Sequence, residues 1–176
     1  MNRVRYYTFQ KELITVSFLR LMRCCLLVGV IYGIGAECQE LTIQTEAGQP
    51  TVLTRANIEA LPHTRITVGP PNAEIAYEGV SVGALMEKAG VTFGESLRGK
   101  RLSSCLLVDA ADGYRVIFAL PEIDSAFTNK QVLLVFLRDG KPLDAKEGPY
   151  RIIVPDEKRM ARWVRQVTAL RIVSLP

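Results

Sequence analysis

Lys158, Arg159, Arg162 and Arg165 place four cations within eight residues, with the indole of Trp163 among them. Arginine holds phosphate or carboxylate through paired N–H donors, and both guanidinium and indole stack on flat heterocycles. The segment is therefore a candidate site for a planar, anionic ligand. The same residues also suit a solvated approach to a strand, with Trp163 plugging the core and Asp156 and Glu157 pairing the cations locally. A second candidate is the Asp109 to Tyr114 turn, in which Asp112 and Gly113 favour a tight bend and Tyr114 offers a hydroxyl. A plain connection between two strands needs the same residues.

Other chemistries find no footing. The only histidine, His63, lies in a Leu-Pro-His-Thr loop with no acid beside it, so it is expected to be exposed and inert. Neither a Ser-His-Asp set nor a zinc spacing can be built around it. Glycine-rich phosphate loops are absent from the sequence.

The elements that must position these residues are short. Leu41 to Thr45 and Thr51 to Leu53 form an expected hairpin, and Thr54 caps a helix from Arg55 to Leu61. Arg65 to Val68 and Glu74 to Tyr77 are expected strands, followed by a Glu78-Gly79 turn and a helix from Val82 to Ala89, capped by Ser81 and stopped by Gly90. Arg101 to Val108 and Tyr114 to Ala119 flank the second candidate site, and a short helix begins near Pro121. Val132 to Leu137 is almost wholly apolar and should be central; Asp139-Gly140 makes a tight turn, and Arg151 to Val154 and Val167 to Val173 are the last strands. About nine strands and two or three helices without βαβ alternation predict an α+β domain with mixed or mainly antiparallel sheets.

Cys24 to Ala36 is a 13-residue apolar stretch preceded by Arg20 and Arg23 and followed by polar residues. Such a layout predicts a signal peptide over residues 1–36, with the true start at Met22 as an alternative, and a single domain over 37–176. Five basic residues up to Ala36 (Arg3, Arg5, Lys11, Arg20, Arg23) against one acid (Glu12) account for the net charge of +4. The remainder is neutral, so the basic pI is no argument for nucleic-acid binding. Export to the periplasm or beyond implies an oxidising compartment, in which Cys38 and Cys105 can form one disulfide. The plainer reading of Cys105 is a small buried residue of an apolar strand.

The blocks Tyr77-Glu78-Gly79-Val80-Ser81, Ala89-Gly90-Val91, Ala110-Ala111-Asp112-Gly113-Tyr114, Asp139-Gly140-Lys141-Pro142-Leu143, Glu147 to Pro155 and Arg162-Trp163-Val164-Arg165 occur in an order that resembles the sulfite-oxidase-type molybdopterin-binding domain. The resemblance covers roughly Leu41 to Val173 and implies that family's α+β fold. In the family, an Arg-x-Val-Lys element after the Val-Pro holds the phosphate-bearing tail of the pterin; Arg162 and Arg165 match its two cations. Catalytic members also carry a cysteine whose thiolate binds molybdenum, in the loop before the Tyr-x-Gly-Val block. Here that stretch is Arg65 to Asn72, without a cysteine, and Cys105 belongs to a later strand.

The resemblance thus implies a pterin or molybdopterin-like ligand without molybdenum. It points to a periplasmic, non-catalytic binding protein that reports occupancy to a membrane receptor. Arg162, Trp163 and Arg165 would contribute to the pocket, with Arg159, Asp112 and Tyr114 as lesser contributors. The alternatives are a molybdopterin-dependent oxidoreductase subunit with an atypical metal site, working with a redox subunit, and an interaction module without a ligand.

Overall fold

The computed structural model describes residues 40–46 and 48–174; the expected leader and Cys38 lie outside the described residues. Two five-stranded sheets organise them. The first joins β1 (Leu41–Gln44), β2 (Thr51–Leu53), β5 (Ser104–Ala110), β6 (Arg115–Ala119) and β10 (Val167–Ser174) in the order β2-β1-β10-β5-β6. The second joins β3 (His63–Val68), β4 (Ile75–Ser81) and β7 (Leu133–Arg138), with β8 (Lys141–Pro142) and β9 (Arg151–Ile153) both pairing with β7. All these pairings are antiparallel except β1 with β10. The expected α+β class with mainly antiparallel sheets is what the chain adopts.

Three short helices connect the strands: α1 (Arg55–Glu59), α2 (Val82–Lys88) and α3 (Leu120–Ile123). Each begins where the sequence supplies a reason. Thr54 and Asn57 form a reciprocal capping box for α1, Ser81 Oγ accepts from Ala84 N at the start of α2, and Pro121 sits in the first turn of α3. Alternation along the strands puts Leu41, Leu106, Phe118, Val80, Leu134, Ile152 and Leu170 into one buried cluster drawn from both sheets. β7 is central as expected, and Leu133 to Phe136 are all buried, each contributing about 1.5–3 kcal/mol.

Three local expectations change. β4 runs straight through Glu78-Gly79 rather than turning there. The glycine is required by close approach: a Cβ at Gly79 would lie 2.1 Å from the Leu134 carbonyl oxygen of β7, where the register shifts. Residues 99–103 form a 3-10 turn and β5 starts only at Ser104, because the Arg101 guanidinium is drawn to Thr92 and the Ser96 carbonyl. His63 opens β3 and is not inert. The β3–β4 pairing brings Glu78, fifteen residues away, to 2.9 Å from Nδ1, while Nε2 lies 3.0 Å from the Glu59 carbonyl. Both ring nitrogens face acceptors, so both contacts are hydrogen bonds only when the ring is an imidazolium.

Gly79→Ala should destabilise the domain by about 1–3 kcal/mol, because no rotamer change relieves a clash with backbone; urea denaturation measures it. The carboxylate of Glu78 outweighs the opposing effect of burial and raises the His63 pKa above 6.5. Its stabilising contribution is therefore complete below pH 6.5 and lost as pH rises through the folded-state value. Proton NMR of this single histidine should show a raised midpoint that Glu78→Gln lowers.

Candidate functional site

The strand ends and loops that hold Asp112, Tyr114 and Arg165 are stitched together by backbone. Gln166, with φ of 50°, donates its N–H to the Glu147 carbonyl at 2.9 Å and accepts from Ala111 N at 3.0 Å. Ile152 N donates to Val164 O and Val167 N to Tyr150 O, so residues 164–167 run along the segment that leads into β9. At the β5–β6 turn, Asp112 Oδ1 accepts from Tyr114 N at 2.9 Å, and Gly113 has φ of 82°. Tyr114 then reaches across to donate its hydroxyl to the Ala161 carbonyl at 2.7 Å. The two segments singled out from sequence are thus neighbours. Arg159 and Arg165 are exposed, and no described residue pairs with their charges.

Arg162 and Trp163 are placed differently from these. The Arg162 guanidinium lies over the Phe118 ring at 4.4 Å and donates to Glu157 Oε1 from both Nε and Nη2, to Glu122 Oε2 at 2.8 Å, and to the Ile117 carbonyl at 3.3 Å. Ala110 N bonds Tyr114 O, so alternation turns the Ile117 carbonyl away from β5. Arg162 therefore covers the open edge of β6. Burial alone would raise Glu157, but Arg162 and Lys130 outweigh it and hold its carboxyl below the usual range. Trp163 is buried, and its indole N–H donates to the Val154 carbonyl at 2.9 Å. Lys130 links this cluster to a surface cleft of about 280 Å³ lined by Thr64, Ser81, Ser125, Thr128, Lys130 and Gln131; none of the residues singled out from sequence lines it.

Sequence reasoning missed the charged group beside Trp163. Arg151, its side chain 11% exposed, lies 5.7 Å from the centroids of both the Tyr77 and Trp163 rings. It donates to Glu147 Oε1 at 2.7 Å and to the Tyr77 hydroxyl at 3.2 Å, and Arg138 donates to the same Glu147 oxygen at 3.2 Å. Arg151 Nε and Glu147 Oε2 are buried with no hydrogen-bond partner. Burial pushes the Tyr77 phenol pKa up, partly offset by Arg151. The available signal was an arginine flanked by Tyr150 and Ile152 at a strand start, where a charge has no reason to be unless it is paired.

No protein-family model and no curated protein matches the sequence. Among solved structures, the sulfane dehydrogenase SoxCD from Paracoccus pantotrophus matches with a TM-score of 0.58 and 21% sequence identity, over 76% of this chain and 37% of that one. The likeness supports the sulfite-oxidase type of fold expected from the sequence. This chain spans little more than a third of the length of that neighbour.

Among the described residues, none offers a thiolate at the β3–β4 turn to anchor a molybdenum centre. The β3–β4 turn, Gly69 to Asn72, offers glycine, two prolines and an asparagine. Cys105, buried in β5 of the other sheet and in register with Ala119 and Val173, has no disulfide partner among the described residues.

Arg162→Ala should cost about 1–3 kcal/mol, since it strips the two-carboxylate cluster of its main cation. Arg165→Ala should stay within about 0.5 kcal/mol of the parent. Because Glu157 is depressed, its contribution is full above pH 4.5 and fades as pH falls through the folded-state value; the Arg162 variant should lose less stability over that acid range in a denaturation series.

Proposed function

We propose that this chain is a non-catalytic binding domain for a pterin-type heterocycle, exported to the periplasm and read by a membrane receptor. The observation that carries the ligand assignment is Arg151. A mostly buried guanidinium lies beside two aromatic rings with one N–H and one carboxylate oxygen of its partner unsatisfied. Flat heterocycles with mixed donors and acceptors answer such a combination. The nearby loops add Arg165, Arg159 and the Tyr114 hydroxyl at the surface, where a polar tail of the ligand would lie. Asp112 fixes the Tyr114 turn and contributes through it. Arg162 and Trp163 would support the site indirectly, through their bonds to the Ile117 and Val154 carbonyls.

The missing thiolate removes the soft ligand that an oxotransferase metal requires, which supports binding rather than turnover. The distant likeness to SoxCD agrees with an origin in an oxidoreductase fold, whose sites are not inherited with the fold. The +4 charge resides before the domain, in keeping with export and with no nucleic-acid role.

Titration of the purified domain with fluorescent 6-hydroxymethylpterin should show saturable one-to-one binding. Arg165→Ala should weaken it by about tenfold, about 1.4 kcal/mol, with the thermal transition unchanged. An unaltered affinity would remove this loop from the site.

A further inference from the structure

The 3-10 turn Met160–Arg162 is fastened to β6 and the turn before it at two points. Tyr114 donates its hydroxyl to the Ala161 carbonyl at 2.7 Å, and Arg162 donates to the Ile117 carbonyl at 3.3 Å. Met160 is thereby held beside the strand edge and yet lies in solvent: it is 66% exposed, Ile117 56% and Tyr114 48%. Lys158, Arg159 and Arg165 are exposed as well, and no carboxylate among the described residues pairs with them.

Single apolar residues on a surface need no explanation, but three of them beside three unanswered cations do. Tyrosine, methionine and arginine are among the residue types enriched at protein interfaces. We infer that this surface docks an acidic protein segment carrying an apolar anchor. The anchor sits against Ile117 and Met160, and its flanking carboxylates meet Lys158, Arg159 and Arg165. The inference goes beyond the ligand reading and stands without it. Arg159 and Arg165 also face the polar tail of the ligand proposed above, whereas Lys158 and Met160 belong to the partner surface alone.

Other occupants fit less well. Arg162 holds the Ile117 carbonyl, so an added strand would find the edge already bonded there. A second copy would bring the same net positive patch against itself, and like charges across an interface are costly. A flat anionic membrane would meet the exposed Asp112 and Asp156 together with the cations, whereas a protein can place its carboxylates.

The probes are two glutamate-rich synthetic peptides of equal length, one with a central leucine–phenylalanine pair and one with glycines in its place, titrated into the isotope-labelled full chain by NMR. The anchored peptide should shift signals from residues 114–117 and 158–165 saturably, and the glycine peptide should bind about tenfold more weakly, about 1.4 kcal/mol. Met160→Glu should weaken the anchored peptide about tenfold and Lys158→Glu about threefold, with the 6-hydroxymethylpterin titration unchanged in both. No shift at about millimolar peptide, equal binding of the two peptides, or shifts confined to other residues overturns the inference. So does binding to vesicles of about 30% anionic lipid in place of the peptide, or a dimer of the chain that Met160→Glu disperses. None of these outcomes touches pterin binding, which its own titration decides.

Discussion

One partly buried carboxylate, Glu147, holds the loop end of this molecule together. Its side chain fixes Arg138 at the end of β7 and Arg151 at the start of β9, and its backbone carbonyl receives Gln166 on the way into β10. Three strands from two sheets thus converge on a single residue of a loop. Without that charge Arg138 and Arg151 would lose their shared partner, and the desolvation of Arg151 would go unanswered. Glu157 repeats the arrangement farther along, where one carboxylate oxygen serves Lys130 and Arg162 and so closes the β6 edge. Exposed strand edges invite pairing with other chains, and a charged side chain bound across the edge prevents it.

The two clusters divide the basic segment between structure and surface. Arg162 looks inward to Glu157, Glu122 and the Ile117 carbonyl, while Arg165, three residues on, is exposed. Trp163 between them is a core residue whose polar edge is satisfied by Val154. Cations of one motif therefore differ in purpose, and their composition alone could not assign them.

Periodicity and punctuation carried most of the fold. The capping residues Thr54 and Ser81, the stop at Gly90 and the apolar run of β7 were legible because each acts on its own neighbours. What escaped depends on partners distant in sequence. Gly79 resembles a turn residue until β7 is laid against it, and His63 appears isolated until the hairpin brings up Glu78. Arg151 sat in plain view within the Gly-Pro-Tyr-Arg block, but its role rests on Tyr77, seventy-four residues earlier, and on the ring of Trp163. The lack of a thiol at the β3–β4 turn was the one feature of the site that sequence could state outright.

With that lack, we propose that a fold of the sulfite-oxidase type holds a heterocycle here rather than a metal. The most direct measurement is the content of the full-length protein after gentle purification from cells that make it, with released small molecules identified by fluorescence and mass and molybdenum quantified in the same sample. A metal-free pterin near one equivalent is the expected result. Stoichiometric molybdenum bound to a dithiolene pterin would contradict it.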